Sequence, residues 1–397
     1  MTPPLVAYAD LHDDPLVGAL LDLAESPDSE LAAAEAARAA MSQTLGVATA
    51  IALAVVASEG PFALAARSEL PADDPRLALA GAELTRLGTL ADDAHRLLQR
   101  HGLEGALAGT TLPPTTRDAM PPAAVALVDA LTAGDAWSSR TAYLAAFHAA
   151  EGTGDLAIHR VLRWIEGELV GVAAPERIAL DDLVGYEDQR APLLDDLRAF
   201  LHGAPANDAL LYGPPGTGKS AAVRACVDAF ADRGVRLIQV ERDQLDDVEQ
   251  ALLALRDGPP TILFLDDLVV DDTDRLDRAL RATLDGGVAE RPPNVIVWAT
   301  SNRLSLMRSS QSERADDVDQ AETAGEKAAL AARFGRRLRF GRQDRDAYLA
   351  ICRHLVFTRT GSLPDDIDAQ AMTFAVQGHG LSARTAVQFA DAFRPTK

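Results

Sequence analysis

The chain reads as an α/β protein whose parallel sheet lies between layers of helices, with more helices before and after it. Three observations predict this. Five short apolar runs, Asp208–Tyr212, Arg236–Val240, Thr261–Leu265, Asn294–Ala299 and the weaker Leu338–Phe340, alternate with stretches of helical periodicity. The runs are apolar nearly throughout rather than at every second position, as in strands buried on both faces. The first run leads directly into Gly213-Pro214-Pro215-Gly216-Thr217-Gly218-Lys219-Ser220, and a helical pattern from Ala221 to Arg233 follows, ending at Gly234. The expected sheet is five-stranded.

Residues 1 to about 172 read as an all-α region, with helices joined by proline and glycine loops. Asp28 and Ser29 offer an N-cap before an alanine-rich helix. Pro71, Pro75, Pro113, Pro114, Pro121 and Pro122 punctuate its middle. Leu156, Val161, Leu162, Trp164, Ile165 and Leu169 fit one apolar helical face near its end. No metal-ligand spacing or nucleophile arrangement occurs here, so this part reads as an interaction or docking domain. From Asp181 the texture changes to alternating strand and helix, and from Asp344 it returns to helix. The expected domains are 1–172, 173–343 and 344–397. Within the second of these, Arg308 to Lys327 is polar and acidic, and reads as a mobile loop followed by the start of a helix.

A strand, a glycine loop and a helix in that order form the context in which the Gly213–Ser220 pattern binds phosphate. Glycines let successive backbone N–H groups turn inward, and the new helix adds its positive end. Lys219 then reaches the β- and γ-phosphates, and the Ser220 hydroxyl holds Mg²⁺. Asp266 and Asp267 end the Thr261–Leu265 strand, at the edge that faces the nucleotide in such sheets. Asp266 suits the orientation of Mg²⁺ and Asp267 the polarisation of an attacking water, although paired acids after a strand also cap helices. Asn302, after Ala299-Thr300-Ser301, offers an amide that can hydrogen-bond the γ-phosphate or the water.

Arg333, Arg336, Arg337, Arg339 and Arg342 crowd one stretch. They fit an arginine that reaches a neighbouring subunit's phosphate, for which Arg333 is the candidate, or a nucleic-acid patch, or a solvated face. Arg384 lies in the first turn of the last helix, after the N-cap candidate Ser382. A cation there opposes the helix dipole, which a phosphate partner would explain.

The net charge of −21 disfavours broad binding to nucleic acid. Cys226 and Cys352 are the only cysteines and read as buried small hydrophobes in a reducing compartment. No signal-peptide pattern is apparent, and the apolar window Leu45 to Ser58 is too short to span a bilayer. The expected location is cytoplasmic, with no membrane partner.

Taken in order, these motifs resemble the AAA+ ATPases. They are most similar to a bacterial family of predicted AAA+ ATP-binding proteins known only as a domain of unknown function. The resemblance covers about residues 155 to 394. It is carried by Asp181-Asp182-Leu183-Val184-Gly185-Tyr186-Glu187, Pro205-Ala206-Asn207, Glu290-Arg291-Pro292-Pro293-Asn294-Val295, Ala299-Thr300-Ser301-Asn302-Arg303, Arg333-Phe334-Gly335 and Gln388-Phe389. It implies an AAA+ core with a helical lid, in which Gly213–Ser220 is Walker A and Asp266-Asp267 Walker B. Asn302 is then sensor 1, Arg333 the arginine finger and Arg384 sensor 2, while Leu183, Val184 and Gly185 border adenine.

Two departures stand out. Most AAA+ proteins carry glutamate where Asp267 stands, which points to slow turnover. The segment Glu241 to Asp247 lacks the aromatic pore residue of threading unfoldases. The expected function is hydrolysis of Mg-ATP, in a homo-oligomer, to remodel or load a macromolecular partner bound by the N-terminal helices. Alternatives are an ATP-bound interaction module with little hydrolysis, or a nucleic-acid-dependent ATPase resembling a helicase loader.

Overall fold

A computed structural model describes residues 4–107, 109–268, 291–302 and 331–394. The Arg308–Lys327 segment, and Glu290 and Arg303 of the resemblance, lie outside the described residues. The chain divides into two compact units, one made chiefly of residues before Glu176 and the other chiefly of those from Glu176 onward.

The first unit is built from α1 (Pro15–Glu25), α2 (Glu30–Ser42), α3 (Val47–Val56), α4 (Pro61–Ala66), α5 (Pro75–Gln99), α6 (Pro114–Ala119), α7 (Pro122–Thr132), α8 (Thr141–Glu151) and α9 (Gly154–Ile158). The prolines act as starters: α1, α4, α5, α6 and α7 each begin on one, where the missing N–H costs nothing. Asp14, Ser29 and Asp74 cap their helices through side-chain oxygens. Alanines at 32, 33, 36, 37 and 40 give α2 a flat buried face against the shared core.

Glu83 on α5 is buried, and its carboxylate accepts the backbone N–H groups of Val6, Ala7 and Tyr8 at 2.7, 2.9 and 3.1 Å. This ties residues 6–8 to α5. His148 on α8 is fully buried between Phe62 and Phe147, with Nδ1 3.0 Å from the Gly152 carbonyl. Burial pulls its pKa down to about 4, against a smaller opposing pull from Gly152 and Asp10. Because the folded value lies below the ordinary one, stability is complete above about pH 6.5 and falls as the pH drops towards 4. The ceiling is about 3 kcal/mol. Urea unfolding of wild type and His148→Phe at pH 7 and 4.5 checks this. Wild type should lose about 2–3 kcal/mol more than the variant between the two pH values, and equal losses would refute it.

Among the described residues the sheet has seven strands rather than five, in the order β2-β1-β4-β5-β6-β3-β7. They are β1 (Val161–Ile165), β2 (Glu168–Gly171), β3 (Ala209–Tyr212), β4 (Arg236–Val240), β5 (Thr261–Leu265), β6 (Val295–Ser301) and β7 (Arg336–Arg339). The two extra strands come from the stretch read as a helical face. Leu162 and Trp164 are buried while Arg163 between them is exposed, so the period is two. Glu166 and Gly167 both take positive φ (50° and 90°), which makes the two-residue connection a hairpin turn and ends any helix. The weak strand expected at Leu338–Phe340 begins two residues earlier, in parallel register with β3 from Ala209↔Arg336.

The pairs β3–β6, β3–β7, β4–β5 and β5–β6 are parallel, and every residue of β5 and β6 is buried. Parallel strands joined by helices bring the C-terminal ends of β3, β5 and β6 to one edge. Helices α10 (Glu187–Leu201), α11 (Lys219–Asp228) and α12 (Val248–Ala254) belong to this layer. Then follow α13 (Arg345–Thr360), α14 (Ile367–Phe374), a π-turn at Ala375–His379 and α15 (Ala383–Ala392). These pack on one another through Tyr348, Ile351, Cys352, Val356, Ala371 and Phe389.

Candidate nucleotide site

The loop between β3 and α11 is held in an unusual backbone path. Gly213 has φ 150°, and a Cβ there would lie 2.0 Å from the Phe340 carbonyl oxygen, so only glycine fits. Gly218, at φ 90°, is the left-handed N-cap of α11. The Thr217 hydroxyl donates to the Pro214 carbonyl at 2.9 Å and closes the loop on itself.

Lys219 is buried, and its ammonium donates to the carbonyls of Gly213 and Pro214 at 2.9 Å each and to Asn302 Oδ1 at 2.7 Å. Burial pulls its pKa down, Asp267 and Asp266 pull it up, and Arg384 pulls it down again; the net direction is down. A cation so placed, beside the start of a helix, attracts phosphate oxygens.

The acids are held as a set. Asp266 Oδ1 accepts from the Ser220 hydroxyl at 2.8 Å and from the Thr300 hydroxyl at 2.6 Å. The Asp267 N–H donates to Thr300 Oγ1 at 2.9 Å, and its carboxylate accepts from the Asn302 amide. Ser220 and Asp266 thus place a hydroxyl and a carboxylate side by side, a set that fits Mg²⁺, which takes one or two protein oxygens and completes its shell with water and phosphate. Among the described residues, no three His, Cys, Asp or Glu side chains gather to hold a metal by themselves.

Around these groups opens a cavity of about 570 Å³, inside the range of small-molecule and cofactor sites. Its polar lining includes Lys219, Ser220, Asp266, Asp267, Asn302 and Arg384, and its apolar lining Ile178, Leu183, Val184, Ile351 and Leu355. Ser382 caps α15 as expected by accepting the Thr385 N–H at 3.1 Å, and the Arg384 N–H donates to the Gly216 carbonyl at 3.3 Å. The last helix therefore touches the glycine loop directly. Gly185 and Arg333 are outside the lining. Gly185 donates its N–H to Glu187 at 3.2 Å, and Arg333 is half-buried just before β7.

Several groups had no clear signal in the sequence. Thr300 stood in the polar end after the Asn294–Ala299 run with no role assigned to it. Tyr186 donates to the Gly341 carbonyl at 3.3 Å, accepts from the Gln343 amide and stacks on Phe340 at 4.8 Å; burial pushes its phenol up to about 12. Glu176 pairs with Arg224 at 2.7 Å and the Ile178 N–H donates to Asp228 at 3.1 Å, which pins a lining segment onto α11. His354 on α13 meets Asp182 at 2.9 Å.

The arginine cluster divides. Arg336 makes two bonds to Asp196, at 2.8 and 3.0 Å. Burial pushes Asp196 up, but Arg336 and Asn207 outweigh it and hold the carboxyl below its ordinary value. Arg337, Arg339 and Arg342 are exposed.

The model of the family described as protein of unknown function (DUF815) matches residues 157–396, well over half of the chain. The chain belongs to that family. Every site residue named above falls inside the family match, whereas helices α1 to α8 precede it. No curated protein matches the chain. Among solved structures, the chain is similar to a mutant of Thermotoga maritima RuvB, at 16% identity and a TM-score of 0.39, over 55% of this chain and 65% of that one. It is also similar to the Aeropyrum pernix ORC1 protein in complex with DNA, at 20% identity and 0.36, over 51% and 58%. A third is the FIGL-1 AAA domain in complex with ADP, at 16% and 0.34, over 56% and 87%. The chain spans less than two-thirds of the RuvB mutant and of the ORC1 protein. No helix of the described residues is long and apolar enough to cross a membrane.

Proposed function

We propose that this family member is an AAA+ ATPase that binds and hydrolyses Mg-ATP, and that hydrolysis drives remodelling or loading of a macromolecular partner. The observation that carries the reading is the convergence of Lys219, Ser220, Asp266, Asp267 and Asn302, from three separate strand ends, on one cavity. The glycine loop and Lys219 hold the phosphates, and Leu183 and Val184 border the base. Asp267 takes the proton of a water whose oxygen bonds to the γ-phosphorus as the bond to the ADP oxygen breaks. Asn302 orients that water or the γ-phosphate, and Arg384 binds phosphate from the lid. Mg²⁺, held by Ser220 and Asp266, neutralises phosphate charge when bound. In this reading residues 1–172 form the partner-binding domain, 173–343 the nucleotide-binding domain and 344–397 the lid. Arg333 acts across subunits of a homo-oligomer.

Asp267→Asn tests the chemistry apart from binding. Nucleotide affinity should stay within a factor of a few, while phosphate release falls by about 10²-fold. Unchanged turnover in this variant would remove Asp267 from the chemistry. With tight ATP binding, that result would favour the second reading, an ATP-bound interaction module, which the short Asp267 side chain in place of glutamate supports.

A further inference from the structure

Asp267 is one methylene shorter than the glutamate that the AAA+ reading expects, so its aim depends on the backbone beneath it. That backbone is strained: φ is 55°, a left-handed conformation that non-glycine residues rarely hold without outside support. The support comes from the neighbouring strand. β5 and β6 run parallel with Leu265 opposite Ala299, so the residue after Ala299 lies beside the acid pair.

We propose that Thr300 is the positioning residue for both acids, an inference that rests on the reading of this cavity as a Mg-ATP site. Its hydroxyl is buried and has one proton, given to Asp266 Oδ1 at 2.6 Å. A lone pair is left to accept the Asp267 N–H at 2.9 Å. The direction of both bonds is fixed, because an ionised carboxylate only accepts and a backbone N–H only donates. The Thr300 carbonyl also accepts the Leu268 N–H at 2.8 Å. One residue therefore grips three consecutive positions, and its hydroxyl bonds to both the metal-holding acid and the water-polarising one. The β-branch fixes the rotamer, so the hydroxyl does not swing away. Two residues on, Asn302 donates to the Asp267 carboxylate and accepts from Lys219.

The test compares wild type with Thr300→Val, which keeps the shape without the hydroxyl, and Thr300→Ser, which keeps the hydroxyl. Phosphate release is measured against Mg²⁺ concentration at saturating ATP, nucleotide affinity is measured in EDTA, and thermal unfolding is followed for each protein. Thr300→Val should raise the half-saturating Mg²⁺ and lower kcat, each by about 10-fold or more, in the range found for residues that orient metal ligands. Its affinity for nucleotide without Mg²⁺ should stay within about 2-fold of wild type, and Thr300→Ser should recover most of both losses. A Val variant with the wild-type Mg²⁺ curve and kcat overturns the inference. So does a Ser variant no better than Val at equal thermal stability. Lys219→Ala is run alongside. If wild type binds no nucleotide, or turns over no faster than Lys219→Ala, the site reading itself falls and this inference with it. Lys219-dependent turnover that ignores Thr300 overturns the inference alone.

Discussion

Replacing Arg333 with alanine is expected to lower phosphate release by about 10³-fold or more, within the range for arginine fingers, while leaving ATP and ADP affinity nearly unchanged. The expectation rests on the Arg333-Phe334-Gly335 resemblance and agrees with where the residue lies. Arg333 is half-buried before β7 and does not line the cavity, whereas Arg384, on the lid, does. In the proposed reading this guanidinium acts on the γ-phosphate of a neighbouring copy. It would then stabilise charge that builds up in the transition state and contribute little to ground-state binding. Phosphate release per subunit should therefore rise with protein concentration and level off once assembly is complete. Turnover, nucleotide affinity and mass in solution with ADP and with a non-hydrolysable ATP analogue provide the check. A proven monomer whose rate per subunit ignores concentration would end the trans role.

The second large effect is expected at Lys219. Lys219→Ala should weaken nucleotide binding and reduce turnover by about 10²–10³-fold, the loss typical of one well-placed donor to developing charge. The ammonium does two jobs. In the proposed reading it is a cation available to the β- and γ-phosphates, and it is a donor to the Gly213 and Pro214 carbonyls and to Asn302. Alanine removes one donor from each of those acceptors, with the Pro214 carbonyl keeping the Thr217 hydroxyl, so the glycine loop loosens as well. Arginine is no substitute, because its planar fork cannot occupy the point between two carbonyls and an amide oxygen that an ammonium fills. Fluorescent nucleotide titration and phosphate release, with thermal unfolding to confirm that the protein is folded, measure the effect. Wild-type affinity and rate in Lys219→Ala would show that nucleotide does not use this loop.

The site was legible to different degrees in different places. Gly213 to Ser220, Asp266 and Asp267, and Asn302 stand at the ends of apolar runs, and each run is a strand within a residue or two of its expected bounds. Ser382 caps the last helix as its spacing implied. The motif residues Asn207, Arg291 and Asn294 were legible as a resemblance and silent as to role, and Asp208 was legible only as the start of a strand run. Asp208 accepts the Val297 N–H at 2.7 Å and pairs with Arg291 at 2.6 Å, while Asn294 donates to the Leu255 carbonyl at 2.8 Å. They hold the beginnings of the strands in place, away from the nucleotide edge. The β1–β2 hairpin was misread because six apolar residues satisfy a helical period and a two-residue period almost equally well over so short a stretch. The turn at Glu166-Gly167 decides between them.

By itself, the sequence determined what depends on a few neighbouring residues: which runs are strands, where glycine permits positive φ, and which acids and amides end a strand. Such choices are settled by local sterics and by apolar spacing, and they leave a mark on the chain. The tertiary structure alone decided the partners. Thr300 meets Asp266 across 34 positions and Arg336 meets Asp196 across 140. A hydroxyl or a guanidinium carries no sign of which distant carboxylate it will face. That depends on the order and register in which the strands pack, which is set by burial of the whole sheet rather than by any local run of residues.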